Sequence, residues 1–148
     1  MHKLDTVVGK YASWSTLFLR LGVGVIFLVH GVGKLFNLGP AALGISGTAG
    51  FFGSLAIPLP LFFAWVVALV ETFGGLAVLL GVLTRYAALL LAIDMLVALL
   101  VFHLPKGFSI LNGGYEFVLL LLLSCVSLFF GGAGEKWALG KKWEEEKH

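Results

Sequence analysis

Apolar residues gather into four runs, at positions 17–36, 61–83, 86–104 and 114–131. Each approaches the ~20 apolar residues a helix needs to cross a bilayer. None alternates apolar with polar positions, so the pattern of a closed transmembrane barrel is absent and helices are the remaining spanning solution. The pattern predicts an all-α membrane protein: an antiparallel bundle of four transmembrane helices. Only Thr84 and Arg85 separate the second and third runs, which predicts a tight hairpin. Pro58 and Pro60 sit where a helix can start without losing a needed donor, and Gly131, Gly132 and Gly134 stop the fourth run.

Two further segments carry pattern. Residues 37–59 are uncharged and glycine-rich, with Phe51, Phe52, Leu55 and Ile57 near helical spacing. They read as a short interfacial helix or re-entrant cap between the first and second spans, with a plain flexible loop as the alternative. The tail from Glu135 carries Trp137 and Trp143 among lysines, the composition of an interfacial helix, and residues 144–146 read as a solvated acidic end. The first run starts late and is longer than a signal peptide's apolar core, so it reads as an uncleaved first span.

Composition narrows the function classes. Hydrophobic residues make up 59% of the 148 positions and charged residues 12%, well below the ~25% charged of a soluble domain. The chain reads as one integral membrane domain over 1–148. A net charge of +2 is too small to suggest a nucleic-acid partner. Cys125 is the single cysteine, which excludes an intrachain disulfide and a dithiol motif. Basic residues are unequally shared between the two ends of the spans. One end collects Lys3, Lys10, Arg85, Lys136, Lys141, Lys142 and Lys147, and the other Lys106, with Lys34 at its margin. The positive-inside rule then places both termini in the cytoplasm and the protein in the cytoplasmic (inner) membrane.

Five charges remain inside or beside the apolar runs: Arg20, Lys34, Glu71, Asp94 and Glu116. Ionised groups at the bilayer centre cost roughly 2.5–3.5 kcal/mol on insertion scales, so they normally face the bundle interior, pair, and mark function. Arg20, Gly24, Phe27, Gly31 and Lys34 share one stripe of the first helix at about 100° per residue, with His30 at its edge. Depths counted from the span midpoints at ~1.5 Å per residue suggest two groups. The inner one is a structural ion cluster of Arg20, Glu71 and Asp94, in which Arg20 bonds Glu71 or Asp94. The outer one is a Lys34–Glu116 pair flanked by His30 and His103, which forms the candidate ligand site. Two carboxylates with one cation also suit a proton-handling or quinone-binding carboxyl. No zinc-type ligand set is visible, and no metal is expected.

These residues also carry a family resemblance. The first span, L-R-L-G-V-G-V-I-F-L-V-H-G-V-G-K-L-F, is similar to the opening of the DoxX-like membrane proteins of DoxX/DoxD type, with their R-x3-G-x2-F-x3-G-x2-K pattern. The likeness continues through T-A-G-F-F-G-S-L-A-I-P, E-x2-G-G-x5-G, L-T-R, N-G-G-Y-E and F-G-G-A-G-E-K-W-A-L. It runs from about Ser15 to Leu139. The departures are the absence of proline from the terminal glycine-rich stop and the Lys/Glu-rich tail. The resemblance implies a four-helix membrane bundle, and its polar motif positions are Arg20, His30, Lys34, Glu71 and Glu116. It also implies a link to redox chemistry, since relatives include a membrane subunit of thiosulfate:quinone oxidoreductase and members of redox-detoxification assemblies.

The expected function is an integral membrane subunit of a redox assembly, offering a polar intramembrane site for a quinone or small anion. It is a subunit of a quinone-dependent oxidoreductase on this reading, with no covalent cofactor. Its partners are the lipid bilayer, a soluble or membrane redox protein, and a second copy of the chain. Two alternatives come from other classes: a small-solute or proton-coupled carrier using the Glu71/Asp94 level, and an assembly or cargo-binding protein whose polar core is purely structural.

Overall fold

The computed structural model describes residues 2–140, with side chains from Leu4 onward, and is entirely helical and irregular with no strand among them. Six helices follow one another: α1 (His2–Gly9), α2 (Ser15–Phe36), α3 (Gly44–Ser54), α4 (Pro60–Leu80), α5 (Thr84–Ala98) and α6 (Glu116–Gly131). The axis of α5 continues through a π-helical turn, Leu99–His103, and a 3-10 turn, Leu104–Lys106. Three helical stretches are long and apolar enough to cross a membrane: Ala12–Phe36, Pro60–Leu80 and Thr84–Lys106. The shorter apolar helix α6 packs beside them.

The four apolar helices close a ring in the order α2, α4, α5, α6, with α6 returning to α2. Phe27, Val78, Leu91, Met95, Leu121 and Leu128 fill the centre. Large apolar side chains such as Phe18, Val25, Phe73, Leu89 and Leu120 stand exposed around the outside. An apolar exterior over a packed apolar interior is what lipid as solvent requires, because lipid gives no reason to hide hydrocarbon.

The tightest contact is between α2 and α4. A Cβ added at Gly24 would come within 2.9 Å of the Leu79 backbone nitrogen, and one added at Gly75 within 2.7 Å of the Leu28 nitrogen. At Gly31 it would overlap Thr72. Small residues let the two backbones touch, which is how membrane helices gain dispersion energy without a hydrophobic driving force. The predicted hairpin is present. Gly81, in the left-handed region at φ +70°, ends α4, and Val82 N–H returns to Ala77 O at 2.9 Å.

The predicted cap between the first two spans is helix α3, which packs on α4 and α2. Leu43 N–H bonds Gly33 O at 3.2 Å, tying the approach to α3 onto the end of α2. The expected tail helix does not begin at Glu135: the chain turns irregularly through residues 133–138. Trp143 and residues 144–146 lie outside the described residues.

Candidate functional site

The α2–α4 contact places the polar residues. Gly31 lies against Thr72, so Lys34, one turn further along α2, is brought over Glu71. The Lys34 ammonium forms an ion pair with Glu71 Oε2, with the two side chains 16% and 5% exposed. Thr72 Oγ1 is turned away from it, donating back to Ala68 O at 2.7 Å.

Asp94 on α5 completes the group. It lies within electrostatic reach of both Glu71 and Lys34. Its Oδ2 is buried without a hydrogen-bond partner. Cys125 on α6, fully buried, lies within electrostatic reach of Asp94. His30 precedes Lys34 by one turn, within electrostatic reach of both Lys34 and Glu71. It makes no hydrogen bond among the described residues, and its ring is exposed on the side of the bundle. One lysine and two carboxylates therefore lie close together, with an exposed histidine beside them.

The expected inner cluster of Arg20, Glu71 and Asp94 is corrected. Glu71 and Asp94 do come together, but Arg20 meets neither. Its fully buried guanidinium donates five hydrogen bonds, all to backbone carbonyls. Nε reaches Val78 O at 2.9 Å; one terminal nitrogen reaches Leu79 O and Trp137 O at 3.0 and 2.9 Å. The other reaches Ala133 O and Lys136 O, both at 3.0 Å. The reason is position: Arg20 lies near the end of the bundle where α4 and α6 terminate, and a helix C-terminus leaves four carbonyls without intrahelical donors. Five fixed donors on a planar fork match that demand. Arg85 does the same for α6, bonding Phe129 O and Phe130 O at 2.8 and 2.6 Å. Counting helix C-termini against the arginines at that end was the signal available in the sequence.

The expected outer Lys34–Glu116 pair is also corrected. Glu116 Oε1 accepts from Ile110 N–H at 2.6 Å, closing the connection that leads into α6. His103 Nδ1 bonds Gly113 O at 2.7 Å within the same connection. Its ring stands edge-on to Phe102, which meets Phe51 of α3 edge to face. Lys106 Nζ sits 3.1 Å over the Phe102 ring, a cation–π contact. Of the four expected ligand residues, then, Lys34 pairs with Glu71 near Asp94 and His30 stands one turn away, while His103 and Glu116 build a separate latch at the far end. Depths taken from span midpoints erred because α2 and α4 are offset: Gly31, well past the middle of α2, is level with Thr72, near the middle of α4. Among the described residues no group of three or more His, Cys, Asp or Glu could hold a metal ion.

The DoxX family profile matches residues 15–104. CatD of Bacillus subtilis (strain 168), provisionally named an oxidoreductase, is 38% identical over 118 residues, covering 80% of this chain and 79% of its own. An uncharacterized membrane protein of Mycobacterium tuberculosis, Rv3486, is 36% identical over 141 residues, covering 86% and 80%. An uncharacterized protein of Haemophilus influenzae is 33% identical over 129 residues, covering 84% and 88%. No solved structure matches.

Proposed function

The chain belongs to the DoxX family, and from that premise we propose that it is the integral membrane subunit of a redox assembly, binding a quinone headgroup at His30, Lys34, Glu71 and Asp94. The observation that carries this reading is the exposure of His30 next to a half-buried lysine and two carboxylates. A quinone keeps its isoprenoid tail in lipid and presents two carbonyl oxygens. Its headgroup can enter such a site from the side without crossing the aqueous phase. The Lys34 ammonium and the His30 ring supply donors for those oxygens. Reduction to the quinol takes two electrons, which a redox partner supplies, and two protons.

The carboxylates suit the proton step. Lys34 balances one negative charge, and a second one left uncompensated among α4, α5 and α6 would be costly. A proton held between Glu71 and Asp94 removes that cost and stands ready for transfer. The redox name of the Bacillus relative agrees with this role. The lysine asymmetry supports cytoplasmic termini in the inner membrane, with the Arg20 end on the cytoplasmic side.

Calorimetric titration of the purified protein in lipid nanodiscs with a short-tailed quinone tests the reading. Saturable binding is expected, lost in Lys34→Met and in Asp94→Asn and retained in Glu116→Gln. Absence of binding, or binding untouched by the first two changes, overturns it. Solute counterflow in liposomes that depends on Glu71 and Asp94 would establish the carrier class instead. Arg20 stands against that class, since it binds α2, the end of α4 and the 133–137 turns together where a carrier would have to open.

A further inference from the structure

Helix α1 carries an apolar stripe that stands exposed among the described residues. Leu4, Val7 and Val8 fall on one face at helical spacing, are 69%, 55% and 56% exposed, and Tyr11 in the following turn extends the stripe. Thr6 and Gly9 lie on the far face, with Asp5 and Lys10 on opposite flanks at about 100° per residue. A single 3-10 turn, Ala12–Trp14, joins α1 to the span beginning at Ser15. Five residues cannot carry a helix far from the bilayer, so connectivity alone keeps α1 at the membrane surface.

The neighbouring surface has the composition of a headgroup layer's contacts. Trp14 and Trp137 meet edge to face with ring centroids 6.4 Å apart, and Trp137 remains 74% exposed. Its backbone is fixed by Arg20, so the pair is a held platform and not a loose side chain. Lys136 Nζ lies 5.8 Å from the Trp14 ring, and Lys10 stands exposed. Tryptophan prefers the membrane–water interface, and lysines flanking an apolar stripe favour anionic headgroups.

We propose that α1 is an interfacial anchor, lying in the plane of the leaflet at the Arg20 end with Leu4, Val7 and Val8 in the acyl boundary, and that Lys10 and Lys136 give it a preference for anionic phospholipid. The occupant of the stripe is the bilayer, not a protein. The anchor holds the first span's entry at a fixed height beside the 133–137 turns.

Spin labels on Val7→Cys and Asp5→Cys, in the full chain in nanodiscs, test this. The protein without an added cysteine gives the background from buried Cys125. In discs of phosphatidylcholine with phosphatidylglycerol, the label at 7 should be relaxed more by oxygen than by a water-soluble nickel chelate, and the label at 5 the reverse. Phosphatidylcholine alone should make the label at 7 shallower. Lys10→Gln with Lys136→Gln should remove that composition effect while leaving the contrast between positions. Equal chelate access at 5 and 7 overturns the proposal. So does a label at 7 shielded from both reagents, which would mean that protein, such as a second copy, covers the stripe. An unchanged depth in the two lipid compositions overturns the anionic preference.

Discussion

Lys34 and Glu71 form an ion pair across α2 and α4, one helical turn from the point where Gly31 touches Thr72. The pair owes its existence to glycine. With bulkier side chains at Gly24, Gly31 and Gly75 the helices would stand apart, and the lysine would have to find water at the membrane surface instead. The same contact sets the register that brings His30 and Asp94 into the group.

Removing one partner of this pair should therefore be worse than removing both. Lys34→Met leaves a buried carboxylate without its cation, a loss of about 3–5 kcal/mol for a broken buried pair. Lys34→Met with Glu71→Leu should recover a large part of that. A double-mutant cycle on thermal unfolding in detergent measures it, and additive single effects would show that the two residues are not coupled.

Glycine substitutions should separate contact from composition. Gly31→Ala places a methyl group inside Thr72 and should lower the unfolding temperature by several degrees. Gly22→Ala on the same helix meets nothing within 4 Å and should be neutral or slightly stabilising. Equal effects at the two positions would contradict the close approach of α2 and α4.

Arg20 should behave as a cap and not as an ion-pair partner. Arg20→Leu removes donors from five carbonyls, and each buried one left unsatisfied costs about 1–3 kcal/mol. Arg20→Lys keeps the charge but cannot reproduce a planar fork, so it should rescue little. Hydrogen exchange at residues 133–138 should rise in both variants. Adding Glu71→Leu to Arg20→Leu should give no rescue, whereas a carboxylate partner would have produced one.

The spans, the hairpin and the cap helix could be read from the sequence, because hydrophobic periodicity and Gly/Pro punctuation are local properties. The pairing of charges could not, because it depends on how far one helix slides along another. His30 and Lys34 were recognisable as site residues from their shared stripe. Aligning the span midpoints instead puts Glu71 and Asp94 at the level of Arg20, away from Lys34, the residue that pairs with Glu71. Arg20 illustrates a second limit. Charge complementarity draws it toward acids, while the carbonyls at the end of α4 and in the turns after α6, invisible in side-chain identity, hold it. Helix α1 was missed for a third reason: eight residues with three apolar positions give too short a pattern to stand out beside four long apolar runs.

The final expectation separates the two polar groups that the structure draws apart. Asp94 has a buried oxygen with no partner, so Asp94→Asn should leave the unfolding temperature near that of the parent chain while abolishing quinone binding. His30→Ala should act in the same direction, since its exposed ring supports no hydrogen bond that folding would lose. Glu116→Ala and His103→Ala should do the opposite. Each removes a bond within the connection between α5 and α6, at Ile110 N and Gly113 O, and each lies in the latch and not beside Lys34. They should loosen residues 107–115 in hydrogen exchange and lower stability modestly, with ligand affinity changed less than threefold. Measuring unfolding temperature and quinone affinity on all four variants decides between the arrangements. Loss of affinity confined to Glu116→Ala and His103→Ala would move the site to the latch, and the Lys34–Glu71–Asp94 group would then be a device for holding the bundle together.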